Sequence, residues 1–101
     1  MRVEGQYFVY ILECCDGSYY VGFTSDPEQR LESHQAGRGG AYTSKRLPVR
    51  LLFQEFQPTE AAAARREQQI KRWSRNKKAA LISGDMASLQ ALARKQKKPP
   101  R

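Results

Sequence analysis

Five side chains of this 101-residue chain have types and spacings that suggest chemistry. Tyr10 in "VYI" and Tyr20 in "YVG" are phenols ten residues apart, which either pack or aim at a common target. Arg30 and His34 are four apart and project from one side of a helix. An arginine offers a planar fork of donors suited to a phosphate. His34 is the only histidine, and an imidazole can shuttle a proton or contact a phosphate. The same pair also suits a solvated helix surface. Glu67 falls on a stripe with Ala63, Ile70 and Ser74, with Trp73 alongside. A carboxylate on an apolar stripe is costly unless paired or metal-bound. Arg66 or Lys71 would pair it. A hard cation that keeps oxygen ligands and waters, as Mg²⁺ does, would use it.

These residues must be positioned by strands and helices that the sequence signals. Residues 6–14 and 18–24 are rich in Tyr, Val, Ile and Phe and flank "DG", a hairpin signature. Asp26 is a helix N-cap candidate, Pro27 suits the first helical position, Gln29 completes a capping box and Gly37 stops a helix running from 27 to about 36. "GRGGAYTSKRLP" reads as a mobile basic loop and "VRLLFQEF", 49–56, as a third strand. "PTEAAAARREQQIKRW" is a helix with a "TxxA" start. Ser74 begins a third short helix, with Asn76 at its start and Trp73 in the core. A weak last helix carries Met86, Leu89 and Leu92, and "KQKKPPR" reads as a disordered tail. Strands first and helices mainly after them predict an α+β domain: a small three-stranded, mostly antiparallel sheet flanked by three to four helices. The expected division is a catalytic domain over 1–82 and a short C-terminal helix and tail over 83–101.

The hairpin register decides where the tyrosines point. A two-residue Asp16-Gly17 turn would put Tyr10 and Tyr20 on opposite faces. A three-residue Cys15-Asp16-Gly17 loop with Gly17 left-handed pairs Tyr10 with Gly22 and collects Val9, Ile11, Tyr19, Val21 and Phe23 on one face. Burial of one clean apolar face favours the second register. Tyr10, Leu12, Tyr20 and Gly22 then share the other face, with the tyrosines diagonal neighbours about 7–8 Å apart. Gly22 leaves room beside the Tyr10 ring, and a mid-strand glycine marks a close approach. Whether this face is a second core layer or a site is open at this point.

Charge is uneven along the chain. Residues 1–34 hold two basic and six acidic side chains; residues 35–101 hold 16 and four, for a net charge of +8. Such a balance suggests an anionic partner, nucleic acid first. No run of about 18 apolar residues signals a membrane span. No apolar leader follows Met1, so the expected address is the cytoplasm. Cys14 and Cys15 are adjacent, point to opposite sides of a strand and read as reduced structural residues.

"YxL" from Tyr10, "YVGxT" from Tyr20 to Thr24, "RLxxH" from Arg30, "AxxxE" ending at Glu67, "IKxW" and "KxxLI" occur in order between Phe8 and Ile82. That ordered set resembles the GIY-YIG endonuclease superfamily, above all its small bacterial single-domain members and the nuclease domain of the eukaryotic structure-specific resolvase subunit. Val9 replaces the first-element glycine, a change common in the small members. Phe23 stands where DNA-repair members often carry lysine, which removes one phosphate contact. The resemblance implies an endonuclease using one divalent cation, Mg²⁺ or Mn²⁺. Tyr10 would help activate the attacking water, Tyr20 would line and order the site, Arg30 would hold the scissile phosphate and Glu67 would bind the metal. Nearby Arg and metal charge would lower the Tyr10 pKa from its ordinary value near 10.

Around these catalytic candidates, counted with His34, lie the residues expected to meet nucleic acid: Gly22 and Thr24 in the hairpin, Arg38, Lys45 and Arg46 in the loop, Arg66, Lys71 and Arg72 on the second helix, and Lys77 and Lys78 beyond it. Tyr42 either stacks on an exposed base or anchors its loop. Phosphate contacts carry no base information, so binding should be salt-sensitive with little sequence specificity. The expected partner is DNA, with RNA as the alternative and no membrane. Two other readings are a non-catalytic nucleic-acid-binding module and a nuclease subunit that needs a protein partner for targeting.

Overall fold

The hairpin takes the register that puts both phenols on one side. A computed structural model describes residues 6–84. In it β1 (Tyr7–Glu13) pairs antiparallel with β2 (Tyr19–Thr24), matching Tyr10 to Gly22 and Ile11 to Val21. The turn is the three-residue form. Gly17 N–H donates to the Cys14 carbonyl at 2.9 Å, Cys14 N–H donates to the Ser18 carbonyl at 2.8 Å, and Gly17 has φ +84°. A left-handed φ costs a residue with a Cβ, so glycine sits where the bulge requires it.

β3 (Arg50–Gln57) pairs antiparallel with β1 on its other edge, giving the order β2-β1-β3 and an all-antiparallel α+β sheet. The pairing shifts between Ile11–Phe53 and Leu12–Leu51, so Leu52 is an extra residue. This bulge, not signalled by "VRLLFQEF", keeps Leu51 against the cluster of Tyr10, Leu12, Cys14 and Val49.

Both faces of the central strand are closed. Val9, Ile11 and Val21 are buried on one, Tyr10 and Leu12 on the other. The tyrosine side is therefore a second core layer as well as a candidate site. Leu31, Leu47, Leu51 and Tyr20 pack onto it.

α1 (Pro27–Gln35) starts where its cap signal lies, the Asp26 carboxylate accepting from Gln29 N–H at 3.2 Å. It ends before Gly37, whose φ is +81°. The Gln35 side chain both donates to and accepts from the Val49 backbone, tying α1 to the start of β3. The basic loop is not featureless: Ala41–Ser44 form a helical turn, α2. α3 (Glu60–Lys71) opens with the Thr59 hydroxyl accepting from Ala62 N–H at 3.1 Å, and packs on all three strands through buried Ala63 and Ile70.

The chain divides into two compact units, one ending at Lys71 and one beginning at Arg72. The second contains α4 (Arg75–Ser83), capped by Ser74 at its start and by left-handed Gly84 at its end. The helix expected around Met86 to Leu92 and the basic tail lie outside the described residues. No helix among the described residues is long and apolar enough to cross a membrane. Cys14 is buried, Cys15 is exposed, and both are free thiols.

Gly17 has open space around a would-be Cβ, so a substitution there meets backbone strain alone. Gly17→Ala should destabilise the fold by about 1–2 kcal/mol in urea unfolding. An unchanged midpoint would contradict the bulged turn.

Candidate active site

The site grows from a hydrogen-bonded chain in the second core layer. The Tyr10 hydroxyl lies 3.0 Å from His34 Nε2, and His34 Nδ1 lies 2.8 Å from the Thr43 hydroxyl. Tyr10, His34 and Thr43 are all buried, His34 and Thr43 completely. Buried polar groups need partners, and here both imidazole nitrogens have one. The helical spacing does bring Arg30 and His34 to one side of α1, but to different depths. Arg30 is exposed, whereas His34 is enclosed, so its ring serves the protein interior and not a phosphate.

Two glycines make the enclosure possible. A Cβ on Gly22 would stand 2.6 Å from the Tyr10 hydroxyl oxygen, so the close approach foreseen at this glycine is the Tyr10 side chain itself. A Cβ on Gly39 would stand 2.0 Å from His34 Nδ1. The loop backbone thus lies directly on the imidazole.

Tyr20 completes the aromatic group. Its ring is 6.4 Å from Tyr10 and 5.2 Å from His34. Tyr42 stacks on Tyr20 at 6.2 Å, and the Arg46 guanidinium sits 3.9 Å from the centre of the Tyr42 ring. Arg46 also donates to Asp16 at 3.1 Å and to the Tyr42 carbonyl at 2.8 Å. Of the two roles open to Tyr42, these contacts favour the loop anchor.

An open cleft of about 420 Å³ exposes the working edge of this group. Tyr10, Tyr20, Arg30 and Glu67 all line it, together with Gly22 and Thr24. The Thr24 hydroxyl is occupied by Asp26 N–H at 3.1 Å. Tyr7 and Glu60, which sequence reasoning missed, line the same cleft. Glu67 is largely enclosed, with a side-chain exposure of 13%, and pairs with Lys71 at 3.3 Å. Arg66, the other candidate partner, donates to Glu55 at 2.8 and 3.2 Å. The Lys71 ammonium end of this pair is half-exposed and open to competition from solvent and other cations, so Lys71 is a replaceable partner.

The other basic candidates are scattered. Arg38 and Lys45 are exposed on the loop, and Arg46 is committed to Asp16 and Tyr42. In the second unit Arg72 is exposed and Lys78 half-buried, while Lys77 is buried with its ammonium 4.1 Å from the Trp73 ring centre. Lys77 is therefore placed for packing and a cation–π contact, not for a surface phosphate.

Without the metal charge that the expected lowering also drew on, burial dominates at Tyr10. Its phenol is pushed up to about 12, chiefly by burial, then by Tyr20, with Arg30 pulling the other way and Glu67 adding a smaller upward push. The expected lowering by Arg30 is present but outweighed. His34 is held below the ordinary histidine value of 6.5, by burial first and then by the Arg30 charge. The resting pair is a neutral phenol and a neutral imidazole.

For a metal, the cleft provides Glu67 as an enclosed carboxylate, Glu60 as an exposed one, and phenol oxygens. No group of three or more His, Cys, Asp or Glu side chains assembles among the described residues. This donor set fits a hard cation that retains most of its water, as Mg²⁺ does when bound by one or two carboxylates. It does not suit a cation that needs several nitrogen or sulfur ligands.

Comparison with known proteins shows the family. Residues 6–80 match the family model described as the GIY-YIG catalytic domain. The chain is 48% identical over 80 residues to a UPF0213 protein of Streptococcus sanguinis, covering 79% of this chain and 92% of that protein. It is 46% identical over 76 residues to a UPF0213 protein of Staphylococcus aureus, covering 75% and 93%. Among solved structures it is similar to the solution structure of the UPF0213 protein BH0048 from Bacillus halodurans, with 44% identity, a TM-score of 0.51 and coverage of 77% and 83%. It is also similar to that of EF2693 from E. faecalis, with 33% identity, a TM-score of 0.57 and coverage of 86% and 93%.

The depressed His34 value has a sign that can be checked. The unfolded chain takes up a proton near pH 6.5 while the folded chain resists until lower pH. Stability contributed by neutral His34 is complete above that value and is lost as pH falls through the folded-state pKa. Urea unfolding between pH 7.5 and 5 should show a decline approaching about 1.4 kcal/mol per pH unit at its steepest. His34→Gln should flatten that part of the profile.

Proposed function

The chain belongs to the GIY-YIG catalytic-domain family, and from that premise we propose that it is a divalent-metal-dependent endonuclease. It hydrolyses phosphodiester bonds in DNA with little sequence preference, selecting branched or damaged structures in repair or recombination. The observation that carries this reading is the convergence of Tyr10, Tyr20, Arg30 and Glu67 on one open cleft.

Each residue has a task that its surroundings support. Arg30, exposed in the cleft, binds the scissile phosphate and stabilises the charge that gathers on its oxygens. Glu67, with its replaceable lysine partner, would hold a hydrated Mg²⁺ or Mn²⁺, and Glu60 is the second carboxylate that lines the cleft. Such an ion, when bound, polarises phosphoryl oxygen and lowers the pKa of water. Tyr20 packs against Tyr10 and His34 and keeps both rings in place.

Tyr10 is the general base, but as a relay and not as a resident phenolate. A phenol with a pKa near 12 is protonated at neutral pH. It accepts a proton from water only while giving its own away. His34 Nε2, 3.0 Å from the hydroxyl, is the acceptor, and its depressed pKa keeps it neutral and ready. The attacking water loses its proton to the Tyr10 oxygen as the Tyr10 proton moves to His34. Proton transfer of this type contributes typically 10²–10⁴ in rate.

The test is cleavage of labelled duplex, flap and single-stranded DNA, with an RNA arm, in Mg²⁺ or Mn²⁺. We expect metal-dependent cutting abolished by chelation. Tyr10→Phe and Glu67→Gln should each lower the rate at least about 10²-fold with the fold intact. Wild-type cleavage by Glu67→Gln would overturn the metal assignment. Salt-dependent binding with no cutting of any substrate would overturn the enzyme reading.

A further inference from the structure

We propose that Thr43 is a positioning residue that fixes the tautomer of His34, its hydroxyl oxygen accepting the Nδ1 proton so that Nε2 stays open to the Tyr10 hydroxyl. No family motif quoted above includes Thr43, and in sequence it is a small hydroxyl in a glycine-rich loop. In the fold it is completely buried, 2.8 Å from His34 Nδ1, at the far end of the chain that starts at Tyr10.

The direction of the chain follows from the strength of its donors. A phenol, with an ordinary pKa near 10, is a far stronger hydrogen-bond donor than an alkyl hydroxyl and a weaker acceptor. The Tyr10 hydroxyl proton is therefore directed to His34 Nε2, 3.0 Å away. A neutral imidazole carries one N–H, and with Nε2 accepting it must lie on Nδ1. The group facing Nδ1 is Thr43, whose oxygen has lone pairs for it. Gly39 lies too close to the ring to admit a side chain, so the imidazole is clamped in the plane that makes both bonds. Histidines in functional sites are commonly oriented through the bond their other nitrogen makes. The catalytic consequence rests on the relay proposed above; the tautomer does not.

Because His34 is the only histidine, the imidazole spectrum of uniformly ¹⁵N-labelled, tag-free full-length protein has one set of signals. At pH 8 the wild type should show protonated Nδ1 and unprotonated Nε2. Thr43→Ser should keep that pattern, and Thr43→Val should lose it. In cleavage assays Thr43→Val should lower kcat about 10–100-fold with KM little changed, while Thr43→Ser restores it. A wild-type spectrum with protonated Nε2 would overturn the proposal, and it decides the matter even if Thr43→Val does not fold. An unaltered spectrum in folded Thr43→Val would overturn it too. A wild type that cuts no substrate sinks the nuclease reading, while the spectrum still decides the tautomer.

Discussion

The hydrogen bond between Tyr10 and His34 is the constraint around which the site is arranged. An imidazole with no solvent exposure must satisfy two nitrogens inside the protein. One goes to a strand, β1, and the other to a loop, through Thr43. The backbone that bridges these partners must come very close, which dictates glycine at two places. Gly22 yields to the Tyr10 ring from β2, and Gly39 yields to the imidazole from the loop. A methyl group at either position would separate groups that now touch.

The loop is held down at a second point, away from the imidazole. Arg46 pairs with Asp16 in the hairpin turn, covers the Tyr42 ring and donates to the Tyr42 carbonyl, and its own carbonyl accepts from Cys15 N–H at 2.9 Å. Ser18 donates twice to Asp16 and, as the leading cause, lowers the carboxyl pKa, with Arg46 adding to it. The bulged turn thus has two outcomes from one geometry. It sets the pairing that brings Tyr10 opposite Gly22, and it presents Asp16 to the loop that covers Tyr20 and His34. Single exposed ion pairs contribute little. Here the pair acts with a ring contact and two backbone bonds, which is why it can orient a loop.

Much of this was legible in the sequence where one physical requirement dominated. The register followed from the need to bury Val9, Ile11 and Val21 together, since a one-residue slip turns a face outward. Asp26, Thr59 and Ser74 carried their helix starts because unsatisfied N–H groups there need an oxygen. The tyrosine pair, Arg30 and Glu67 could be brought together by periodicity and by family resemblance. What was hidden depended on tertiary contact. The extra residue at Leu52 lets Leu51 pack against the Leu12 cluster, and no turn residue marks it. Gly39 and Thr43 look like ordinary loop residues until His34 is buried between them. The depth difference between Arg30 and His34 was equally invisible, because a four-residue spacing gives direction around a helix and not distance from solvent.

The raised pKa of Tyr10 sharpens what kind of site this is. Sequence reasoning weighed Arg30 and metal charge together, which would favour a phenolate. The fold weighs burial more heavily: taking the phenol out of water penalises its charged form, and the neighbouring Tyr20 and Glu67 push the same way. A buried phenolate beside a carboxylate would have to be sustained by more positive charge than Arg30 alone supplies. A neutral phenol hydrogen-bonded to a neutral imidazole needs no such support. The same desolvation that raises Tyr10 lowers His34, so both groups rest neutral. In the proposed relay, enclosure, which reads at first as ordinary core packing, is the feature that lets a proton pass from the open cleft inward between two uncharged groups.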